Sequence, residues 1–286
     1  MPNDHFERTL FGLINESAVK LEIALDSDVI FYHGGMFPQY FREFRDFIEA
    51  VKSNSERDDG TISVVLRTGG GVAETTEQMV AVLRKHYKYV NFVVPDFAMS
   101  AGTIFCMSGD KIYMDYASGL GPIDPQVPSS TGEYVPAMGY LDKVEEIARK
   151  DNPAPADVIL LKSLDLARLA RYEQARNLSI DLLESWLVEY KFKDWNVHRT
   201  NNPGTEVTKK EKIDRAIEIA TILADHRVWR SHGRYLDVVK LRQMRLEIDD
   251  YSDDPGLTAA IRGYNDPLTG YVDRTGLEYF FHSHLI

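Results

Sequence analysis

The spacing of apolar residues alternates between two periods over the first 115 positions. Short, almost continuous apolar runs predict buried strands over residues 28–33, 62–66, 90–94 and 111–115. Between these runs, apolar residues three and four positions apart predict helices over residues 37–51, 72–86 and 101–107. Strands that alternate with helices are typical of an α/β fold, with a parallel sheet between helical layers and right-handed crossovers.

The second half of the chain has a different pattern. After a turn-rich stretch at 117–134, helical periodicity covers residues 141–150, 155–190 and 207–223, and a loop at 198–205 separates the last two. Helix is predicted to dominate to the end, where a short apolar tail covers residues 279–281. The sequence shows no internal repeat or long linker, so we expect one domain over 1–286. Its βαβ core would cover about 25–130 and a mainly helical extension about 138–286.

Composition narrows the class of protein. The 286 residues carry 33 Lys and Arg against 44 Asp and Glu, a net charge of −11, which argues against nucleic acid as the main partner. The chain contains no run of ~18 uncharged apolar residues, and its first residues are acidic where a signal peptide is basic. We therefore expect a cytoplasmic protein without a membrane span.

The sequence offers little for a metal or a cofactor. The single cysteine, Cys106, excludes an internal disulfide and a Cys-based zinc site, and we interpret it as a small core residue. The acidic run at 249–254 lacks the ligand spacing and closing Glu of a calcium loop, so we interpret it as a solvated turn. No metal and no cofactor are expected.

Three stretches could carry chemistry. In the first, Arg67-Thr-Gly-Gly-Gly-Val72, glycines follow a predicted strand and open a helix, so free N–H groups would face outward. The spacing is neither that of a phosphate P-loop nor that of a dinucleotide fingerprint. Taken alone, the stretch is equally consistent with a tight strand-to-helix turn.

The second stretch, Pro95 to Thr103, places Ser100 among small residues at the start of an apolar helix. A nucleophilic serine needs this placement, because its Oγ must be exposed and its neighbours must not block the substrate. The string Ala-Met-Ser-Ala-Gly lacks the first glycine of G-x-S-x-G, and an N-cap serine is the structural alternative. The third stretch, 114–126, has glycines and prolines that predict a rigid loop.

Together, the strings LRTGGGV, VVPDFAMSAGT, GDKIYMD and SGLGPIDPQ resemble the serine dehydrogenase proteinase family. That family has the Clp protease/crotonase-like fold, a spiral of ββα units, and is related to signal peptide peptidase A. A second stretch, 216–250, also looks like the C-terminal part of bacterial members. Gly69 is a departure, because relatives usually carry Pro there.

The resemblance implies a serine peptidase in which Ser100 is the nucleophile. The N–H groups of Gly70 and Ala101 match the oxyanion-hole donors, each contributing on the order of 3 kcal/mol to the transition state. Gly71 and Met99 are the expected substrate-binding neighbours. Peptides or proteins would be the substrates, and relatives assemble into homo-oligomers.

The general base is harder to assign. Clp proteases use a His about 25 residues after the Ser, but no His occurs between residues 87 and 197. Signal peptide peptidase A uses a Lys further downstream, which matches Lys162 within an apolar run, where desolvation would lower its pKa. Lys150, His226 and His232 are the alternatives.

Two other functions use the same fold. A crotonase-type enzyme would hold a thioester enolate at the same glycine turn and use Asp96 or Asp124 as its carboxylate. A non-catalytic binding or scaffold protein would keep the fold without an effective base.

Overall fold

A computed structural model describes residues 4–58, 60–128, 134–199 and 203–286. The turn-rich stretch at 117–134 and the loop at 198–205 each fall partly outside these ranges. The strands are β1 Asp28–Gly34, β2 Thr61–Arg67, β3 Tyr89–Val94, β4 Phe97–Ala98, β5 Lys111–Met114, β6 Gly119–Leu120, β7 Gln126–Pro128, β8 Tyr134–Pro136, β9 Asp249–Asp250 and β10 Tyr279–His282.

The α-helices occupy the connections and most of the second half. They are α1 Asp4–Leu25, α2 Pro38–Asn54, α3 Ala73–His86, α4 Ala101–Met107, α5 Ala137–Ala148, α6 Pro155–Ser163, α7 Leu166–Trp186, α8 Lys209–Ala224, α9 His226–Trp229, α10 Val238–Gln243 and α11 Pro255–Thr275. A π-helical turn, Leu187–Lys191, extends α7, and a 3-10 turn, Tyr251–Asp253, precedes α11.

The main sheet has six strands in the order β10-β1-β2-β3-β5-β9. Strand β10 pairs antiparallel with β1, and the other neighbours pair in parallel. The four strands expected in the first 115 residues are confirmed, because long apolar runs are buried between two helical layers. Helices α2, α3 and α4 cover one face of the sheet, and α1 and α11 cover the other.

Several expectations for the elements were wrong or incomplete. The helix expected over 155–190 breaks between α6 and α7, where the Asp165 side chain accepts hydrogen bonds from the N–H groups of Ala167 and Arg168 and so starts a new helix. The expected apolar tail is strand β10, paired with β1. Helix α1 was not predicted, and residues 249–286 return to the sheet through β9, α11 and β10. The acidic run at 249–254 is more than a solvated turn, since Tyr251 within it is buried.

The ends of β2 and β4 bring the candidate stretches together. Thr68 pairs with Ala98, because Thr68 N–H donates to Phe97 O at 3.1 Å and Met99 N–H donates to Thr68 O at 2.9 Å. Strand β6 continues this ladder beside β4, and Leu120 pairs with Leu236 on its other side. The glycine turn (67–72), the serine turn (95–103) and the rigid loop (114–126) therefore adjoin one another.

Among the described residues, no helix combines the length and the apolar character needed to cross a bilayer.

Candidate active site

Ser100 stands at the point where β4 ends and α4 begins. It is the N-cap residue of α4, with φ 53° and ψ −117°, a backbone conformation that non-glycine residues rarely adopt. Its side chain is half-buried, whereas all seven residues of α4 are buried. Strained backbone of this kind is concentrated at functional sites, and in the nucleophile elbow of hydrolases it exposes a serine on a sharp turn.

Gly70 lies directly against Ser100. A Cβ at Gly70 would lie 2.8 Å from Ser100 Cβ and 2.7 Å from Met99 O, and the φ of Gly70 is +103°. Only glycine fits both the contact and the conformation. The structure therefore brings together the glycine turn and the serine turn, as the sequence predicted.

The two expected oxyanion donors differ in their partners. Ala101 N–H, in the first turn of α4, has no acceptor among the described residues. Gly70 N–H donates to Thr68 Oγ1 at 3.0 Å. An oxyanion at this place would thus find one free donor at Ala101, and it would have to share or displace the Thr68 bond at Gly70.

A cleft of about 350 Å³ opens beside the glycine turn. Gly69, Gly70 and Gly71 form one wall, and the ends of β1 and β2 supply His33 and Arg67. Gly71 pairs with Met36, so its position is fixed by backbone contact. Met99, the other expected substrate neighbour, packs on Gly121, where an added Cβ would lie 3.1 Å from Met99 Cα, and its role in substrate binding stays a prediction.

Lys162 is not desolvated, although desolvation was the physical reason to expect a lowered pKa and a role as the base. Lys162 is exposed on α6, a helix with no buried residue, and the apolar residues beside it are themselves partly exposed. Among the described residues, no hydrogen bond links Ser100 Oγ to Lys162 or to any other side chain. The role of Lys162 as the base stays a prediction.

Two of the alternative bases are occupied at the surface. Lys150 is exposed and pairs with Asp157 at 3.0 Å, and that hydrogen bond raises the pKa of Lys150, the wrong direction for a base. His226 Nε2 lies 3.2 Å from Asp142 Oδ2, and the Asp142 side chain is 40% exposed.

His232 forms a different kind of pair. Its Nδ1 lies 2.9 Å from Oδ1 of Asp124, whose side chain is 1% exposed. Oδ2 of the same carboxylate accepts a hydrogen bond from Gln126 Nε2 at 2.6 Å. The sequence marked Asp124 and His232 separately but not as partners, because they are 108 residues apart and no local pattern joins them.

The two carboxylates considered for a crotonase-type site have different surroundings. Asp124 is bound as described, and Asp96 Oδ2 lies 3.8 Å from Arg67 Nε. Burial raises the pKa of Asp96, while a hydrogen bond from Asn265 and the charge of Arg67 oppose that rise. Arg67 is bound further by Asp273, at 2.7 Å.

No group of three or more metal-ligating side chains that could hold an ion occurs in the described part of the chain.

A strained serine beside a glycine turn, at the strand ends of a parallel sheet, is compatible with the chemistry of a serine hydrolase. The family model for ClpP-like SDH-type serine proteinases matches residues 43–205, more than half of the chain, and the chain belongs to that family. The matched segment includes the glycine turn, Ser100, Asp124 and Lys162 but not His232. The family and the mixed α/β fold expected from the sequence are confirmed.

Two relatives in Methanocaldococcus jannaschii carry no assigned activity. The chain is 30% identical to uncharacterized protein MJ0137 over 57% of its own length and 54% of that protein's. It is 28% identical to uncharacterized protein MJ1495 over 45% of its own length and 41% of that protein's. The chain thus spans about half the length of the curated relatives it matches.

Two solved structures are loosely similar to the chain. The 1510-N membrane-bound stomatin-specific protease has a TM-score of 0.43 and 15% identity, over 78% of this chain and 76% of that one. ClpP1 from Listeria monocytogenes has a TM-score of 0.41 and 9% identity, over 80% of this chain and 93% of that one. Likenesses this loose carry no weight beside the family match.

Proposed function

We propose that this protein is a serine endopeptidase that hydrolyses peptide bonds through an acyl-enzyme on Ser100. The observation that carries the proposal is the strained turn at Ser100, packed against Gly70 and followed by the unpartnered N–H of Ala101. A serine with no functional role would gain nothing from a backbone conformation that costs about 1–3 kcal/mol.

The reaction follows from this geometry. Ser100 Oγ attacks the peptide carbonyl carbon and passes its proton to a base, while the carbonyl oxygen gains negative charge near Ala101 N–H and Gly70 N–H. The intermediate collapses with loss of the amine and leaves an ester on Ser100. Water then hydrolyses the ester and restores the serine.

The base that the family resemblance predicts is Lys162, in a Ser-Lys dyad. Lys162 lies on the exposed surface of α6, and among the described residues it makes no hydrogen bond to Ser100 Oγ. No ligand or cofactor is needed for this chemistry, and peptides or unfolded proteins are the proposed substrates.

Hydrolysis of a 4-nitrophenyl ester tests the proposal without knowledge of peptide preference. We expect a burst of nitrophenol equal to the enzyme concentration, followed by slower turnover, because acylation precedes deacylation. Ser100→Ala should abolish both phases, and Ser108→Ala, a buried serine at the other end of α4, should keep them. Equal activity in Ser100→Ala would reject the proposal, and a silent wild type would favour the non-catalytic alternative.

A further inference from the structure

Among the described histidines with an acidic partner, His232 is distinguished by the burial of that partner. The carboxylates beside His198, His226 and His284 have side chains that are 44%, 40% and 15% exposed, against 1% for Asp124. A buried carboxylate with both oxygens hydrogen-bonded is held in one position, so it fixes the ring that it binds. The other three pairs are nearer solvent and fix their rings less firmly.

The backbone register explains why Asp124 and His232 meet. Leu120 N–H donates to Leu236 O at 3.1 Å, and Leu236 N–H donates to Leu120 O at 2.9 Å, as in an antiparallel pair. Moving four residues forward from Leu120 and four back from Leu236 leads to Asp124 and His232. Pairing of the two segments at Leu120 therefore sets the distance between the two side chains.

The same segment runs beside Ser100 on its other edge. Ala98 pairs with Leu120 in parallel, and Gly121 N–H donates to Ala98 O at 3.2 Å. Moving forward from Ala98 leads to Ser100, and moving forward from Leu120 leads to Asp124. Ser100 and the pair formed by Asp124 and His232 thus lie at the same end of one small ladder.

The two nitrogens of the His232 ring have different surroundings. Nδ1 faces the buried carboxylate, so it carries the proton when the ring is neutral. Nε2 has no hydrogen-bond partner among the described residues, and the His232 side chain is 25% exposed. The ring therefore presents an unprotonated, accessible nitrogen, which is what a general base requires.

We infer that His232 is the general base of Ser100 and that Asp124 is its positioning residue; the inference rests on the proposed function. His232 Nε2 takes the proton from Ser100 Oγ as the Oγ–C bond forms and the carbonyl π electrons move onto oxygen. The same nitrogen returns the proton to the leaving amine as the C–N bond breaks. In deacylation it takes a proton from water as the water oxygen bonds to the ester carbon, and it delivers that proton to Ser100 Oγ as the C–Oγ bond breaks and the acid product leaves.

The rate at which a fluorophosphonate modifies the enzyme measures this base directly. We expect His232→Ala to slow labelling by about 1,000-fold or more, because the base is removed. Asp124→Asn should slow labelling by about 100-fold or more, because the His232 ring is no longer held in the tautomer that leaves Nε2 unprotonated. The matched control is His226→Ala, which removes a histidine bound to an exposed carboxylate and should label at the wild-type rate.

Two further readouts separate catalysis from folding. Added imidazole should restore labelling of His232→Ala, which only a folded site can show. The wild-type labelling rate should depend on pH, and this dependence should vanish in His232→Ala. Full-rate labelling of His232→Ala, or a loss confined to Lys162→Met, would overturn the inference while Ser100 remained the nucleophile. Labelling that survives in Ser100→Ala would instead overturn the proposed function, and the inference with it.

Discussion

At the scale of single residues, the site depends on a position that tolerates only glycine. Gly70 takes a φ of +103° and touches Met99 O and Ser100, so any side chain would push the serine turn out of place. The neighbouring Gly69 has nothing within 4 Å of an added Cβ. These two adjacent glycines therefore have different roles, although the sequence presents them as one run.

This difference gives a matched pair of variants. Gly70→Ala should lower the free energy of unfolding by about 2–5 kcal/mol, through backbone strain and the clash with Ser100, and should abolish activity. Gly69→Ala should change the free energy of unfolding by less than about 1 kcal/mol and keep activity. Urea unfolding and ester hydrolysis measure both quantities. A stable, active Gly70→Ala protein would show that the turn is not packed as described.

Residue types marked the turns at Ser100 and Gly70, because small residues at a strand-to-helix turn are a local signal, and the family resemblance supplied the roles of these two residues. The pairing of Asp124 with His232 could not be predicted in this way. It depends on the ladder between Leu120 and Leu236, a contact between segments more than a hundred residues apart. The exposure of Lys162 could not be predicted either, because an apolar run has the same sequence pattern whether or not another element packs against it.

At the scale of elements, the strands buried on both faces of the sheet and the amphipathic helices between them were predicted within a few residues of their bounds. Helix α1 was missed although its buried residues, Ile14, Ala18 and Leu21, follow helical spacing. Strand β10 was missed for a physical reason: Phe280 packs toward α1 and Phe281 toward α2, so both faces are apolar and no alternation remains.

Helix α1 and the C-terminal residues meet at a glutamate whose charge is disfavoured. Glu22 accepts a hydrogen bond from Val29 N–H at 3.1 Å and lies 3.3 Å from His284 Nδ1. Burial raises the pKa of Glu22 to about 7, the charge of Asp28 adds to that rise, and the Val29 hydrogen bond and Arg57 oppose it. Glu22 therefore binds its proton more tightly in the folded state than in the unfolded state.

Stability should consequently depend on pH through Glu22. The contribution of Glu22 is fully present below pH about 4.5 and is lost as pH rises through about 7, a change of about 2–3 kcal/mol. Glu22→Gln should flatten the pH dependence of the free energy of unfolding over this window, whereas Glu16→Gln, on the exposed side of α1, should not. Urea unfolding at pH 5 and pH 8 makes the comparison, and identical slopes in all three proteins would contradict it.

At the scale of the whole molecule, the helical extension carries apolar surface without a cover in the single chain. Ile159 is 69% exposed on α6, with Val158 and Leu160 each 38% exposed beside it. Adjacent exposed apolar side chains on one helix are typical of an interface. This agrees with the homo-oligomer that the family resemblance predicts.

Light scattering coupled to gel filtration tests that assembly. We expect the wild type to exceed the 32.6 kDa of one chain. Ile159→Glu should shift the mass toward one chain, because a charge would be buried in the interface. Ser163→Glu, at an exposed position on the same helix, should leave the mass unchanged. A wild type that elutes as a single chain would remove the proposed assembly.

The central claim is that the hydroxyl of Ser100 is the attacking group. Peptide mapping by mass spectrometry after fluorophosphonate treatment tests it most directly. A single phosphonyl adduct on the peptide that contains Ser100, absent after prior heat unfolding, is the result that we predict. An adduct on another residue, or none on a folded and monodisperse protein, would contradict the claim.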